Sequence, residues 1–389
     1  MKIIFVVSDF EIGGITTALK NLTNELIKRG HKIDILNMPK VQCLPEGFNV
    51  DIRLIELPEK VKKWNLCQED IKEAFLISKI FLLLIGVLKK ILNKRNKWLP
   101  FIFGFMENLE NYDVAIAFRQ DSADYYVTKH KINAKRKVGF WHGDPDYMGD
   151  TSSWDCCVYD MDCIVSVSNA VCKKLQKHYP KLQGKLYTVY NLFEKDKIVE
   201  LGKEYNVDYS DEGWNIITVS RLVLLEPKNH QRIIEICRKL RDDKVNFHWT
   251  FVGDGEDMSS FKQQIADNDL KSVISVIGAK SNPYPYIKQA DLFVLTSTSE
   301  SYGMVVMESL ILGTPVVAGD YPALQEILSN NYGIRTKNTV DGIYYGIREL
   351  LNNRARYNML KENCLDFKYS TDETYRQFLK MCGEQYEKI

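Results

Sequence analysis

Apolar, β-branched runs alternate with helix-patterned stretches twice over in this 389-residue chain, once in each half. The first half offers KIIFVV, a helical pattern from Gly14 to Arg29, KIDIL, and then YDVAIAF, KVGFWH, DCIVSVS and LYTVY. The second offers WNIITVS, FHWTFVG, VISVIG, DLFVLTS and TPVVAG, each followed by helix-like sequence. Such continuous apolar strands leave no polar face for water, so helices must cover both sides and the strands run parallel. The pattern predicts an α/β chain with two doubly wound domains, and its length exceeds what one ordinary core holds. The boundaries read as 1–195 and 196–369, with a hinge in the polar stretch Glu194 to Gly213. A helical tail over 370–389, with no strand after it, can pack on either domain. Ligands of open α/β sheets sit at the carboxyl ends of strands, so two such domains imply a cleft between them.

Formal net charge is +1, which gives no overall footprint for nucleic acid. The charge is uneven. Between Lys60 and Lys97, ten Lys or Arg stand against three acids, leaving the remainder at −6. Within this basic-apolar region, residues 60–105, the unbroken apolar run Ile80 to Leu88 has nine residues. That is far short of the roughly 20 needed to cross a bilayer. Lys89, Lys90, Lys94, Arg95, Lys97 and Trp98 follow it, which suits residues 75–98 to an anionic lipid interface. A core helix with solvated lysines is the plainer alternative. Nine scattered cysteines, without a CxxC pair, fit free thiols in a reducing cytosol. The start MKIIFVV reads as a first strand, not a signal peptide.

Chemistry-bearing residues gather in the second half. Arg221 follows the strand WNIITVS and Lys228 comes seven residues later; a planar fork and a point charge suit a diphosphate. In FHWTFVGDGED, Gly253 and Gly255 fit a turn closely approached by a ligand or by neighbouring backbone. A dinucleotide fingerprint would need a third glycine where Met258 stands, which weakens a nicotinamide reading. In ESYGMVVME, Glu300 and Glu308 stand eight residues apart, about 12 Å along a helix and rotated by some 80°. They cannot share one metal ion; they can grip two ends of an elongated ligand. Gly303 opens a helix running to Leu312, and the N–H groups of Gly303, Met304 and Val305 make an anion site at its start. A phosphate there with polyols on either side describes a nucleoside diphosphate sugar.

In this order SRLVLLEPKN, VGDGE and ESYGMVVME, followed by GTPVVAG, resemble the retaining glycosyltransferases of GT-B architecture, in particular the large family four (glycosyl transferases group 1). The resemblance spans about residues 1 to 375 and is strongest over 214–330. It implies two facing Rossmann-like domains, the first for the acceptor and the second for the nucleotide-sugar donor, with the C-terminal helix crossing back to the first. It implies that Arg221 and Lys228 hold the diphosphate, so that neither metal nor cofactor is required. Glu300 then contacts the donor sugar, Glu308 the ribose, and Gly303, Met304 and Val305 cradle phosphate and sugar, while Ile277 and Gly278 fall at the nucleobase. In the first half, FEIGGITTAL resembles the family's glycine-rich loop, with Gly13 and Gly14 near the diphosphate. His142 in VGFWHGD matches the active-site histidine that binds the sugar near its anomeric carbon.

Two departures stand out. Glu226 and Pro227 lie between the two cations, and the acids Asp144, Asp146 and Asp150 beside His142 have no role derivable from sequence. The DPD of that stretch sits in the wrong half for a metal-dependent donor site. The implied activity is transfer of a hexose-type sugar, UDP being the favoured nucleotide, to a glycan or polyprenyl diphosphate-linked acceptor in bacterial surface polysaccharide synthesis. Arg119 and Gln120, after YDVAIAF, are candidate acceptor contacts. The expected location is cytoplasmic, peripheral at the inner face of the membrane. A non-catalytic nucleotide-sugar-binding partner and a nucleotide-sugar epimerase are the alternatives. An epimerase lacks the basic pair with E-x7-E.

Overall fold

The computed structural model describes residues 1–11, 13–38, 41–64, 92, 98–148 and 157–384. Most of the basic-apolar region, Asp150 and the last five residues therefore lie outside the described residues. Among the described residues no helix is long and apolar enough to cross a membrane.

Chain contacts divide the protein into two compact units, the first running from Met1 to Val167, with Cys172–Leu192 and everything from Thr374 onward, the second from Phe193 to Glu373 with Ser168–Val171. The polar stretch read as a hinge contains the helix Lys195–Leu201, and the crossing between units precedes it.

In the first unit seven parallel strands form one sheet, in the order β3 (Arg53–Glu56), β2 (Lys32–Asn37), β1 (Lys2–Val7), β4 (Leu109–Ala117), β5 (Ile132–Trp141), β6 (Cys163–Ser166), β7 (Leu186–Thr188). Ile3, Ile4, Phe5 and Val6 of β1 are wholly buried, because helices pack on both faces of the central strands. Helix Gly14–Lys28 turns Ala18, Leu19, Leu22 and Leu26 inward, a stripe at helical spacing. The terminal helix Asp372–Cys382 belongs to this unit: Phe378 and Met381 enter its core, and the Tyr375 hydroxyl lies 2.8 Å from His31 Nε2.

The second unit has six parallel strands in the order β10 (Ile274–Val276), β9 (Phe247–Val252), β8 (Trp214–Val219), β11 (Leu292–Leu295), β12 (Val316–Gly319), β13 (Gly333–Thr336). Strand order reverses between β8 and β11, and between β1 and β4 in the first unit, which opens a crevice at the carboxyl ends of those strands. β3 and β13 escape the sequence pattern. Both are four-residue edge strands, RLIE and GIRT, mostly exposed or half-buried, so neither needs an apolar run.

Candidate active site

In the second unit the loop after β11 carries TSTSES. Its Glu300 Oε1 accepts from Lys228 Nζ at 2.6 Å and from Ser297 Oγ at 2.7 Å. Lys228 comes from the loop after β8, so the ion pair spans the reversal point of the sheet. Several bonds fix that loop. The Thr298 N–H donates to the Pro227 carbonyl at 2.8 Å, and the Thr296 hydroxyl donates to the Lys228 carbonyl at 3.3 Å. Arg232 reaches the Thr296 carbonyl and Asn338 Oδ1, and Asn338 Nδ2 donates to the Thr298 carbonyl. His230 closes the base of the Lys228 loop: its Nδ1 accepts from the Val223 N–H, and burial, with Lys228 nearby, pushes its pKa down to about 3. Arg221, just after β8, is exposed, and its guanidinium has no partner among the described residues, while its carbonyl accepts from the Ser220 hydroxyl. The structure thus joins Lys228 and Glu300 and leaves Arg221 extended toward solvent.

Gly303 caps helix Met304–Ile311 in the left-handed region, at φ 97° and ψ 54°. The first-turn N–H groups of Met304 and Val305 have no carbonyl one turn back to bond, so they are available to an anion. Glu308 is buried on the second turn, and the Tyr284 hydroxyl donates to its Oε1 at 3.3 Å. Its carboxylate is thus already shaped for a hydroxyl. Burial and Glu308 together raise the Tyr284 pKa far above the ordinary phenol range. At the β9 turn the close approach is by backbone. A Cβ on Gly253 would stand 1.8 Å from the Ser220 carbonyl oxygen, and one on Gly255 2.0 Å from that of Leu222. Gly253 N–H donates to the Gly278 carbonyl, and Ile277 N–H to that of Phe251, which places the Ile277–Gly278 pair at the same sheet end. A Cβ on Gly278 would meet nothing within 4 Å.

In the first unit His142 follows β5. Its N–H donates to Gln120 Oε1 at 2.9 Å, its ring centroid lies 4.7 Å from that of Phe118, and among the described residues its Nε2 is buried without a partner. Burial pushes the His142 pKa down to about 3, so the ring is neutral. Gln120 therefore holds His142 in place. Arg119 is paired with Asp9, which comes from the loop after β1, across the reversal point of this sheet. Gly13 caps helix Gly14–Lys28, and a Cβ there would meet nothing within 4 Å. Of the acids after His142, Asp144 and Asp146 have partners. Lys174 Nζ binds both oxygens of Asp144, at 2.8 and 2.6 Å, and Asp146 at 2.9 Å, while His178 Nε2 lies 2.8 Å from Asp146. Asp144 also caps the turn Pro145–Tyr147. Among the described residues no three His, Cys, Asp or Glu side chains converge on a metal-sized site.

Sequence reasoning missed Ser297, Tyr284, Asn338, Arg232 and Tyr321. Ser297 was within reach, in a polar loop three residues before Glu300. Asn338, in a loop, and Tyr284, at the start of helix Tyr284–Gln289, stand 40 and 24 residues from their partners Thr298 and Glu308, and nothing local marks them.

Residues 208–365 match the family model described as glycosyl transferases group 1, and this stretch contains Arg221, Lys228, Glu300, Gly303 and Glu308. The matched part of the second unit is similar to the group 1 glycosyltransferase domain. An uncharacterised glycosyltransferase of Methanocaldococcus jannaschii is 27% identical over 191 residues, 48% of this chain and 46% of that protein. The alpha-monoglucosyldiacylglycerol synthase of Streptococcus pneumoniae is 24% identical over 201 residues, 50% of this chain and 44% of that protein. The chain thus spans less than half the length of these relatives. Staphylococcus aureus TarM, in a crystal holding Fondaparinux, alpha-GlcNAc-glycerol and UDP, matches with a TM-score of 0.70 at 14% identity, over 98% of this chain and all of that one. That likeness extends the group 1 domain's fold to the whole chain: two Rossmann-like units of the GT-B kind.

Proposed function

We propose that the chain is a retaining glycosyltransferase that moves a hexose-type sugar from a nucleoside diphosphate sugar, UDP favoured, to a hydroxyl of a glycan or lipid-linked glycan. The observation that carries this reading is the Lys228–Glu300–Ser297 cluster beside the left-handed Gly303 turn, at the reversal point of the second sheet. A carboxylate already holding a cation and a hydroxyl is matched to a ligand that presents phosphate and sugar side by side. Match of this unit to the group 1 family and the UDP bound to TarM support the donor class. The lipid named for the pneumococcal relative supports a lipid-linked acceptor.

In the reaction, the bond between the anomeric carbon and the donor phosphate oxygen breaks while a bond to the acceptor oxygen forms on the same face. The acceptor's proton passes to the departing phosphate oxygen. Arg221, Lys228 and the amides of Met304 and Val305 offset the charge growing on that phosphate, which is where preorganised donors act most strongly. These cations take the part a metal plays elsewhere, so no metal is required. Glu300 orients the sugar, Glu308 accepts from ribose hydroxyls, and neutral His142 offers Nε2 to a sugar hydroxyl. Residues 75–98 bring the enzyme to the anionic inner face of the cell membrane, and the protein works in the cytoplasm on surface polysaccharide.

Donor hydrolysis and transfer across UDP-, GDP- and ADP-sugars, with the anomeric configuration read by NMR, test the reading. Retention with one nucleotide series, unchanged by EDTA, is expected. No turnover with any donor would leave the non-catalytic binding partner, and inversion would exclude the retaining step.

A further inference from the structure

Tyr321 stands at the end of β12 with extended backbone, φ −147° and ψ 157°, as the cap of helix Pro322–Ile327. Tyr321 is 4% exposed, and among the described residues its hydroxyl is buried without a hydrogen-bond partner. The hydroxyl lies 3.6 Å from the point where a side chain on Gly303 would begin, and Glu300 is close enough to act on it electrostatically. It therefore stands beside the Gly303 turn that opens helix Met304–Ile311, within the electrostatic reach of Glu300. A buried phenol with no partner is a burden that phenylalanine, of the same shape, would not carry. Nothing among the described residues bonds that O–H, and local rules broken without structural gain mark functional positions.

The geometry points to Tyr321 as a donor-sugar contact: its O–H donates to an oxygen of the sugar held over the Gly303 turn, beside Glu300. This rests on the glycosyltransferase reading, and it adds a residue outside the E-x7-E element. Its ring, locked by burial, supplies a hydrogen bond at a fixed height above the turn. The oxygens it can meet belong to the sugar or to the adjoining phosphate, and comparing nucleotide with nucleotide sugar separates the two.

The test is Tyr321→Phe, with thermal melts of the free protein and calorimetric titration with UDP and with UDP-glucose, UDP-galactose and UDP-GlcNAc, using the corresponding GDP or ADP series if the wild type prefers it. The expected result is a melting temperature equal to or above wild type, roughly tenfold weaker binding of the preferred nucleotide sugar, and unchanged binding of the bare nucleotide. Equal affinity of both proteins for the nucleotide sugar would overturn the proposal, whatever the melts show. Equal weakening for the bare nucleotide would move the contact to the diphosphate and overturn the sugar assignment. A wild type that binds no nucleotide or nucleotide sugar fails differently: it removes the proposed function itself. Should Tyr321→Phe not fold, the hydroxyl has a structural role and the proposal falls.

Discussion

Lys228 Nζ lies 2.6 Å from Glu300 Oε1, joining the loops that follow β8 and β11 where the sheet order reverses. Both side chains keep partial exposure, 25% and 16%, so the pair adds little to folding stability. Its value lies in fixing a cation and an acceptor of hydroxyls side by side. Lys228→Ala and Glu300→Ala should each lower turnover by about 100-fold or more while shifting the melting temperature only slightly. Initial transfer rates and thermal melts on both variants check this. Near-normal rates in both would remove the assignment. Lys228→Arg should recover only a part, because a broad fork replaces a compact point charge.

Gly303 holds φ 97° directly before the helix whose first amides are proposed to meet the donor phosphate. Alanine there is strained by about 1 kcal/mol or more, and its Cβ would crowd Ile327 Cδ1 at 3.1 Å. Gly303→Ala should therefore lower the melting temperature by a few degrees and weaken nucleotide binding together. Calorimetry with UDP alongside melts provides the comparison, and intact affinity with normal stability would show that the turn tolerates a side chain.

Two buried histidines link stability to pH. His142 and His230 are pushed down to about 3, chiefly by burial, whereas an unfolded chain takes up the proton near 6.5. Above that value both states are neutral and the stability is complete. As pH falls from 6.5 toward 3 the unfolded state binds protons that the folded state refuses, so stability declines, at up to about 1.4 kcal/mol per pH unit for each ring. Urea unfolding between pH 7 and 4 should show a shallower decline in His142→Asn than in wild type. An identical slope would mean that the folded ring takes up its proton at the same pH as the unfolded chain.

Asp144 is 8% exposed in its side chain and is held by Lys174, which is itself 25% exposed. Removing the lysine leaves a buried carboxylate with less compensation, so Lys174→Ala should destabilise the first unit by about 1–3 kcal/mol, below the full value for a wholly buried pair. Adding Asp144→Asn should recover part of that loss, a coupling that a double-mutant cycle measures directly. Additive effects would show that the clamp is only geometric.

Residues 75–97 carry the charge excess, and their sequence suits them to an anionic surface. Neutralising Lys89, Lys90, Lys94 and Lys97 to glutamine should weaken sedimentation with phosphatidylglycerol vesicles, since each lysine contributes about 1 kcal/mol at such a surface. Unchanged sedimentation would favour the buried-helix alternative.

Both sheets were legible because central parallel strands must be apolar throughout, as KIIFVV and DLFVLTS are. The edge strands β3 and β13 were not, since an edge with one solvated side places no such demand on composition. In the site, Lys228, Glu300, Gly303 and Glu308 could be picked out because short-range spacing ties them to one loop and one helix start. Their supports could not. Asn338 and Tyr321 acquire meaning only when loops distant in sequence converge. Gln120 was read as an acceptor contact, yet it binds the backbone of His142; the sequence places it after a strand without saying which neighbour that strand brings near.

The β8 and β9 turns leave no room for a methyl group between them, since a Cβ on Gly253 or Gly255 would fall within 2.0 Å of a carbonyl oxygen. Strand ends in such intimate contact cannot slide independently. Arg221 therefore projects from an anchored base: among the described residues its guanidinium has no partner, while the peptide beneath it is held by packing. Adaptability at this rim resides in side-chain rotamers, and a crystallographic series across ligands should find the underlying main chain superimposable.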